Sequence, residues 1–129
     1  MVGIVVVSHS AKAAEGIVEM AAQMARDGQK IIAAGGANGA IGTDAVLIAA
    51  AIEKADTGDG VVVAVDLGSA VLSAETALEF LPEDLRKRVQ IADAPVLEGT
   101  VSAVVQASLG STLAEVLATA EGARELRKK

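Results

Sequence analysis

Short, continuous runs of apolar and mostly β-branched residues alternate along this chain with longer, Ala-rich stretches of helical spacing. Runs of the first kind are typical of parallel strands that are buried on both faces. The predicted strands are Val2–Val7, Lys30–Ala34, Gly60–Val65 and Val89–Ala92. Capping residues, Gly and Pro bound the longer stretches. The predicted helices are Ala11–Arg26, Asp44–Ala55, Ser69–Leu81, the stretch from after Pro95 to Leu109, and Thr112–Arg124.

This order of elements predicts an α/β fold. Strands that alternate with helices through short connections pair in parallel, and the helices then cover both faces of the sheet. We therefore expect a mostly parallel four-stranded sheet with helices on both faces. No repeat or linker points to a second domain, so residues 1–129 are predicted to form a single domain.

Composition excludes several function classes. Only one residue, Phe80, is aromatic, so the core must consist of Ala, Val, Ile and Leu. The net charge of -6 disfavours nucleic-acid binding, which needs a basic face. The chain has no cysteine, and its one histidine and scattered carboxylates lack the spacing of metal ligands, so we expect no metal site. Because no membrane span or signal peptide is recognisable, we expect a cytoplasmic protein that does not bind membranes.

The predicted helix Asp44–Ala55 is apolar nearly all round, whereas a surface helix would show a polar face. Deep burial in the core would explain this composition. An interface between two copies of the chain would explain it equally well, and the sequence leaves both interpretations open.

Polar and glycine residues follow the predicted strands. In open parallel sheets, ligands bind beyond the carboxyl ends of the strands, where the strand order reverses. If the first and third strands are neighbours, His9 and Asp66 face each other there. The residues that follow the four strands are Ser8-His9-Ser10, the glycine-rich loop Gly35–Gly42, Asp66-Leu67-Gly68-Ser69 and Asp93.

His9 is the candidate nucleophile of this edge. A neutral imidazole nitrogen can attack phosphorus near neutral pH if the other ring nitrogen is held as a hydrogen-bond donor. A carboxylate holds that nitrogen well, and Asp66 is placed to do so. We therefore predict that His9 carries a phosphoryl group and that Asp66 orients its ring.

Helix N-termini at the same edge would stabilise the phosphoryl oxygens, because their free backbone N–H groups bind anions. Three predicted helices begin there, near Ser10, Thr43 and Ser69, whose hydroxyls would add hydrogen bonds. We predict Ser10, Thr43, Gly68 and Ser69 as phosphoryl-binding residues. Thr43 and Ser69 are also predicted as N-caps.

Other chemistries fit the sequence less well. The glycine-rich loop lacks the Gly-Lys-Ser/Thr of a Walker A motif, and a Ser-His-Asp hydrolase would lack its G-x-S-x-G elbow. A receiver-like signalling domain phosphorylated on Asp66 would need acidic residues where Ser8-His9-Ser10 stands. A non-catalytic binding module, in which His9 does nothing, is the remaining alternative.

Four blocks of the sequence resemble the DhaM family. These proteins are the phosphotransferase subunits of the phosphoenolpyruvate-dependent dihydroxyacetone kinases, and they belong with the enzyme IIA domains of the mannose family. The resemblance spans nearly the whole chain, from Val2 to about Ala120. The blocks are Val5–Ser10, Ile41–Ala45, Asp66–Ala70 with Leu72–Ala77, and Ala94-Pro95 with Glu98-Gly99.

The resemblance implies a mechanism and partners. Phospho-HPr would phosphorylate His9, and His9 would then phosphorylate ADP held on the DhaL subunit, which acts with DhaK, so this chain would hold no cofactor of its own. Asp66 matches the aspartate that hydrogen-bonds the histidine in mannose-type relatives. The family also implies a homodimer, although its antiparallel edge strand is not recognisable here. Since the sequence ends at Lys129, we expect HPr to be a separate protein.

A closely related function is the main alternative. The IIA domain of a mannose- or fructose-type sugar transporter uses the same histidine chemistry but passes the phosphoryl group to a IIB domain. Such domains resemble each other in a Gly-Gly-Ser/Thr-Pro run after the site aspartate. This chain has Gly68-Ser69-Ala70 there, without the proline, which favours DhaM.

Overall fold

The computed structural model describes every residue from Met1 to Lys129. It contains a sheet of four parallel strands: β1 (Gly3–Ser8), β2 (Ile31–Gly35), β3 (Val61–Val65) and β4 (Val89–Ile91). The helices are α1 (Ala11–Ala22), α2 (Ala45–Ala55), α3 (Gly68–Glu79), α4 (Glu83–Arg86), α5 (Val96–Ser108) and α6 (Leu113–Gly122), followed by a 3-10 turn at Ala123–Glu125. The predicted α/β fold with a parallel four-stranded sheet is confirmed.

The strand order β2-β1-β3-β4 places β1 and β3 side by side at the centre of the sheet. Val5 of β1 pairs with Ile32 of β2 on one side and with Val63 of β3 on the other. The chain runs from β1 to β2 and then returns past β1 to β3, so the strand order reverses between β1 and β3. A crevice opens at such a point beyond the carboxyl ends of the strands.

The sheet separates two aliphatic cores, because successive side chains of a strand point to opposite faces. Val5 and Val7 belong to a core of 17 buried residues shared with α2, α3 and α4. Ile4 belongs to a second core of 10 buried residues, shared with α1, α5 and α6. Full burial of each such side chain contributes about 1.5–3 kcal/mol, so these cores hold the central strands rigidly beneath the crevice.

A close approach at Gly35 fixes the start of α1 beside the crevice. A Cβ atom at this position would lie 2.5 Å from the Ser10 carbonyl oxygen and 2.8 Å from the Cβ of Ala14. Only glycine fits there, so the first turn of α1 packs directly on the end of β2.

The helices depart most from the sequence prediction at the end of α1 and in the segment that follows α3. α1 ends at Ala22 rather than Arg26, because the N–H groups of Met24 and Ala25 bond to carbonyls only three residues back, which tightens the turn and ends the helix. The four-residue helix α4 was not predicted, since a single turn is too short to show helical periodicity.

α2 carries apolar side chains both on its buried side and on its exposed side. Ile48 and Ile52 are completely buried against the sheet, whereas Val46 and Leu47 are 66% and 41% exposed. Burial in the core therefore explains only the inner side of this helix, and Val46 and Leu47 form an exposed apolar surface near its start. Neither α2 nor any other helix has the length and hydropathy needed to cross a membrane.

Candidate functional site

Asp66, which directly follows β3, accepts hydrogen bonds from three residues. Its Oδ2 accepts from the Ser8 hydroxyl and from the His9 backbone N–H, both at 2.9 Å. Its Oδ1 accepts from the Leu67 N–H at 2.7 Å and faces Nδ1 of His9 at 3.0 Å. A carboxyl group whose two oxygens are both surrounded by donors is an ionised carboxylate.

The pKa of the Asp66 carboxyl lies below its ordinary value. Burial acts to raise this pKa, but the hydrogen bonds from the backbone and ring of His9, from Ser8 and from Leu67 together outweigh burial. Asp66 is therefore negatively charged near neutral pH. Its charge favours the His9 tautomer that carries hydrogen on Nδ1, the nitrogen that faces it.

Nε2 of His9 is consequently the ring nitrogen that carries no hydrogen, so its lone pair points outward from the ring. The Ser69 hydroxyl oxygen lies 2.7 Å from Nε2 and donates its hydrogen to it. The His9 side chain is 23% exposed, so the ring is accessible from outside. The structure thus brings His9, Asp66 and Ser69 together, with the nucleophilic nitrogen beside a hydroxyl that can rotate away.

Ser69 makes this contact because it is not the N-cap that the sequence predicted. α3 begins at Gly68, and its N-cap residue is Leu67, whose side chain makes no capping hydrogen bond. Ser69 therefore lies inside the first turn, where its hydroxyl points at His9 instead of at the helix's own backbone. Gly68 and Ser69 also contribute first-turn N–H groups, which have no acceptor within a helix.

The prediction of Thr43 as an N-cap is also wrong. Asp44 caps α2, and its Oδ1 accepts from the N–H groups of Val46 and Leu47 at 2.9 and 3.3 Å. The Thr43 hydroxyl lies 2.5 Å from the Ser73 hydroxyl of α3 instead. Asp and Thr are both good caps, so their adjacency hides which one begins the helix. Thr43 joins the start of α2 to α3 and makes no hydrogen bond with His9.

Ser10 is the N-cap of α1. Its hydroxyl accepts from the Ala13 N–H at 3.2 Å, and its own N–H donates to the Ser8 hydroxyl oxygen at 3.1 Å. The residue therefore holds the start of α1 directly beside His9.

The glycine-rich loop contacts the site through its backbone. The Gly42 N–H donates to the His9 carbonyl oxygen at 2.8 Å, and the Gly36 N–H donates to the Ser8 carbonyl oxygen at 3.1 Å. Between these two contacts the loop reverses direction through residues Ala37–Ala40. This loop supports the backbone of His9.

Ser8 is a site residue that the sequence did not indicate as a partner of Asp66. Its side chain is buried, and it bonds to the carboxylate that faces His9. The available signal was a polar residue at the end of an otherwise apolar strand, next to the position expected for Asp66.

A cleft of about 430 Å³ opens beside Asp66, between α3 and the end of β4. Val71 and Ile91 form part of its apolar lining, and Glu75 and Asp93 are its other acidic residues. Asp93 forms an ion pair with Arg124 at 3.1 Å rather than contacting His9. The chain contains no group of three or more His, Cys, Asp or Glu side chains arranged to hold a metal ion.

Comparisons with known proteins place the chain in a family. The model of the EIIA-man family, described as the PTS system fructose IIA component, matches residues 3–117. A Listeria innocua protein, named the phosphoryl donor subunit DhaM of PEP-dependent dihydroxyacetone kinase 2, is 42% identical over 118 residues, which are 91% of this chain and 94% of that protein. The Escherichia coli DhaM subunit is 43% identical over 133 residues and matches all of this chain. This chain spans only 28% of the length of that relative.

Solved structures share the fold of this chain. A crystal structure of a protein of unknown function superposes with a TM-score of 0.80 at 35% identity, covering 92% of each chain. The phosphotransferase system component EIIA from Streptococcus agalactiae superposes with a TM-score of 0.66 at 16% identity, covering 98% of this chain and 97% of that one, and it shows the shared fold. The chain therefore belongs to the EIIA-man family of phosphotransferase-system IIA components and, within it, to the DhaM group.

Proposed function

We propose that Nε2 of His9 accepts a phosphoryl group from a phosphorylated carrier protein and passes it to a second partner. The observation that carries this proposal is the pair of contacts on the ring. Asp66 holds Nδ1 as the donor, and Nε2 presents its lone pair beside the start of α3. Such a residue is a covalent carrier in phosphoryl transfer, because it forms a bond to phosphorus in the first half-reaction and breaks that bond in the second.

The transfer follows from the charges around the ring. The Nε2 lone pair attacks the phosphorus as the bond from phosphorus to the donor breaks, and the electron pair of that bond returns to the donor atom that carried the phosphoryl group. Nδ1 keeps its proton, and the positive charge that develops on the ring is stabilised by the Asp66 carboxylate at 3.0 Å. The Ser69 hydroxyl rotates off Nε2 and donates to a phosphoryl oxygen.

The start of α3 receives the transferred group. Gly68 and Ser69 begin a helix of 12 residues, whose N-terminal N–H groups and dipole favour negative charge. Ser10 and Thr43 take part less directly, since their hydroxyls cap α1 and bond to Ser73. Phosphoryl transfer needs mainly such positioning and charge stabilisation from the protein.

We propose HPr as the phosphoryl donor and ADP bound on DhaL, acting with DhaK, as the acceptor. The support is the Listeria innocua relative of almost the same length, whose name makes it the phosphoryl donor subunit of a dihydroxyacetone kinase. In this scheme the nucleotide belongs to DhaL, and this chain holds no cofactor. We also propose that the chain acts in the cytoplasm, where it would meet these partners.

A test of this function incubates the chain with phosphoenolpyruvate, enzyme I and HPr and follows its intact mass. We expect one phosphoryl adduct that is labile in acid and stable in base, and none in His9→Ala. An adduct that survives this substitution, or the absence of an adduct on the wild-type chain, would overturn the proposal.

The acceptor is tested separately on the phosphorylated chain. We expect DhaL loaded with ADP to remove the adduct and produce ATP. Discharge by a transporter IIB domain instead would identify the chain as a sugar-transporter IIA component, an alternative that the name of the matching family model supports.

We further propose that the chain forms a homodimer through the outer surface of α2 and α3. This apolar outer surface consists of Val46, Leu47 and Leu72, which are 66%, 41% and 67% exposed. The Thr43–Ser73 hydrogen bond holds the two helices side by side. Exposed apolar patches on a protein surface are typical of interaction sites.

A further inference from the structure

We infer that Ser8 is a positioning residue for phosphoryl transfer, whose hydroxyl holds the Asp66 carboxylate in the rotation that directs Oδ1 at Nδ1 of His9. This inference rests on the proposed function of His9. Ser8 is the last residue of β1 and is only 2% exposed, so a docked partner does not reach its side chain. Any effect of Ser8 on transfer therefore passes through Asp66.

The neighbours of Ser8 fix the direction of its hydrogen bond. Its hydroxyl oxygen accepts from the Ser10 N–H at 3.1 Å, and a backbone N–H can only donate. The hydroxyl hydrogen is then directed at Oδ2 of Asp66, at 2.9 Å. Ser8 thereby joins the start of α1, on one side, to the carboxylate that follows β3, on the other.

This contact restricts the carboxylate of Asp66. The last torsion of an aspartate is broad and nearly two-fold, so the carboxylate rotates unless both of its oxygens are held. Ser8 and the His9 N–H hold Oδ2, while Oδ1 receives Leu67 N–H and faces the ring. Without the Ser8 hydroxyl, Oδ2 keeps one donor, and the Ser10 N–H loses its acceptor. The carboxylate then rotates more freely, and the two neutral tautomers of His9 become closer in population.

The test uses Ser8→Ala and reads the tautomer directly. His9 is the only histidine, so ¹⁵N NMR of its ring nitrogens reports one imidazole. We expect hydrogen on Nδ1 in the wild-type chain and a larger fraction with hydrogen on Nε2 in Ser8→Ala. Because only the first tautomer offers the Nε2 lone pair, phosphorylation by phospho-HPr should slow about tenfold, as when a histidine ligand loses the group that orients it.

Two further variants separate positioning from folding. Ser8→Cys replaces the hydroxyl by a somewhat larger thiol that fills the buried position and donates more weakly. Both readouts should therefore move in the same direction as in Ser8→Ala but by less, even if Ser8→Ala folds poorly. Thr100→Val removes the other buried hydroxyl, which donates to the Val96 carbonyl within α5. This control should keep both the wild-type tautomer and the wild-type rate.

A folded Ser8→Ala chain with the wild-type tautomer, or with the wild-type rate, would overturn the inference. If the wild-type chain takes up no phosphoryl group at all, the proposed function of His9 fails. The ring-nitrogen spectra still decide in that case whether Ser8 holds Asp66 in place.

Discussion

At the scale of single residues, Asp66 determines which nitrogen of His9 can react. Its carboxylate stays charged because donors from His9, Ser8 and Leu67 outweigh the cost of its burial. The charge keeps hydrogen on Nδ1 and leaves Nε2 for the phosphoryl group. The Ser69 hydroxyl forms a hydrogen bond with that same nitrogen.

Replacing Asp66 by Asn should slow phosphorylation of His9 without abolishing it. The nucleophile remains in Asp66→Asn, but the negative charge that stabilises the developing positive ring is lost. We expect a rate about 10- to 100-fold lower, measured as adduct formation from phospho-HPr by mass spectrometry.

Asp93→Asn is the matched control for this prediction. Asp93 follows β4 at the same edge of the sheet but pairs with Arg124, so its variant should keep the wild-type rate. A wild-type rate in Asp66→Asn would remove this carboxylate from the site.

The His9–Asp66 pair was predictable from sequence, whereas the contacts of Ser69 and Ser8 were not. Residues that follow neighbouring strands meet at one edge, and this needs only the strand order. The direction of the Ser69 side chain depends on the residue at which α3 begins, and helix boundaries are the least certain part of a sequence-based prediction. Ser8 required the position of the Asp66 carboxylate itself.

At the scale of the elements, the start of α2 depends on its N-cap Asp44, which follows Thr43, another residue type that commonly caps helices. Removing the cap in Asp44→Ala should lower the free energy of unfolding by about 1 kcal/mol, because the Val46 and Leu47 N–H groups lose their acceptor. Thr43→Val keeps the Asp44 cap and should lower the free energy of unfolding by less. Urea denaturation measures this free energy for both variants, and a larger decrease in Thr43→Val would contradict the assignment of Asp44 as the cap.

The end of α2 is held by an ion pair that makes stability depend on pH. Arg88 donates to both Asp56 oxygens, at 3.1 and 2.6 Å, and it holds the pKa of the Asp56 carboxyl below its ordinary value of 3.8. A carboxyl with a lowered pKa stabilises the fold above pH 3.8, and this contribution disappears as pH falls through the pKa of the folded state.

Asp56→Asn should therefore be less stable than the wild-type chain at neutral pH and lose less stability on acidification. Thermal unfolding measured from pH 7 down to pH 3 tests this expectation. Asp59→Asn serves as a nearby control, because the Asp59 side chain is 62% exposed and pairs only with the N-terminus. Parallel pH curves for Asp56→Asn and the wild-type chain would contradict the role of the ion pair.

At the scale of the whole molecule, the sheet separates two cores, and α2 both contributes to one of them and exposes apolar side chains. Both faces have aliphatic cores, which the alternation of apolar runs predicted. The sequence could not separate a buried α2 from one at an interface, because a helix that is apolar all round fits both. The structure shows that the inner side is buried and that Val46 and Leu47 stay exposed.

If the apolar outer surface of α2 and α3 forms the dimer, Val46→Lys should convert the chain to monomers. Because the interface is symmetric, the substitution buries two lysine charges, one from each copy. Removing each charge from water costs free energy, which opposes association. Sedimentation velocity of the purified chain measures the change. Val105→Lys, a substitution at a 43% exposed position of α5 on the opposite face, should remain dimeric. A monomeric wild-type chain, or a dimeric Val46→Lys, would contradict the proposed interface.

In the proposed transfer, phosphorus bonds to Nε2 of His9, and ¹⁵N and ³¹P NMR of the phosphorylated chain can observe this bond. With the histidine labelled, we expect ³¹P–¹⁵N coupling to Nε2, while Nδ1 keeps its hydrogen and its contact with Asp66. Coupling to Nδ1, or a phosphoryl group on a carboxylate, would contradict it.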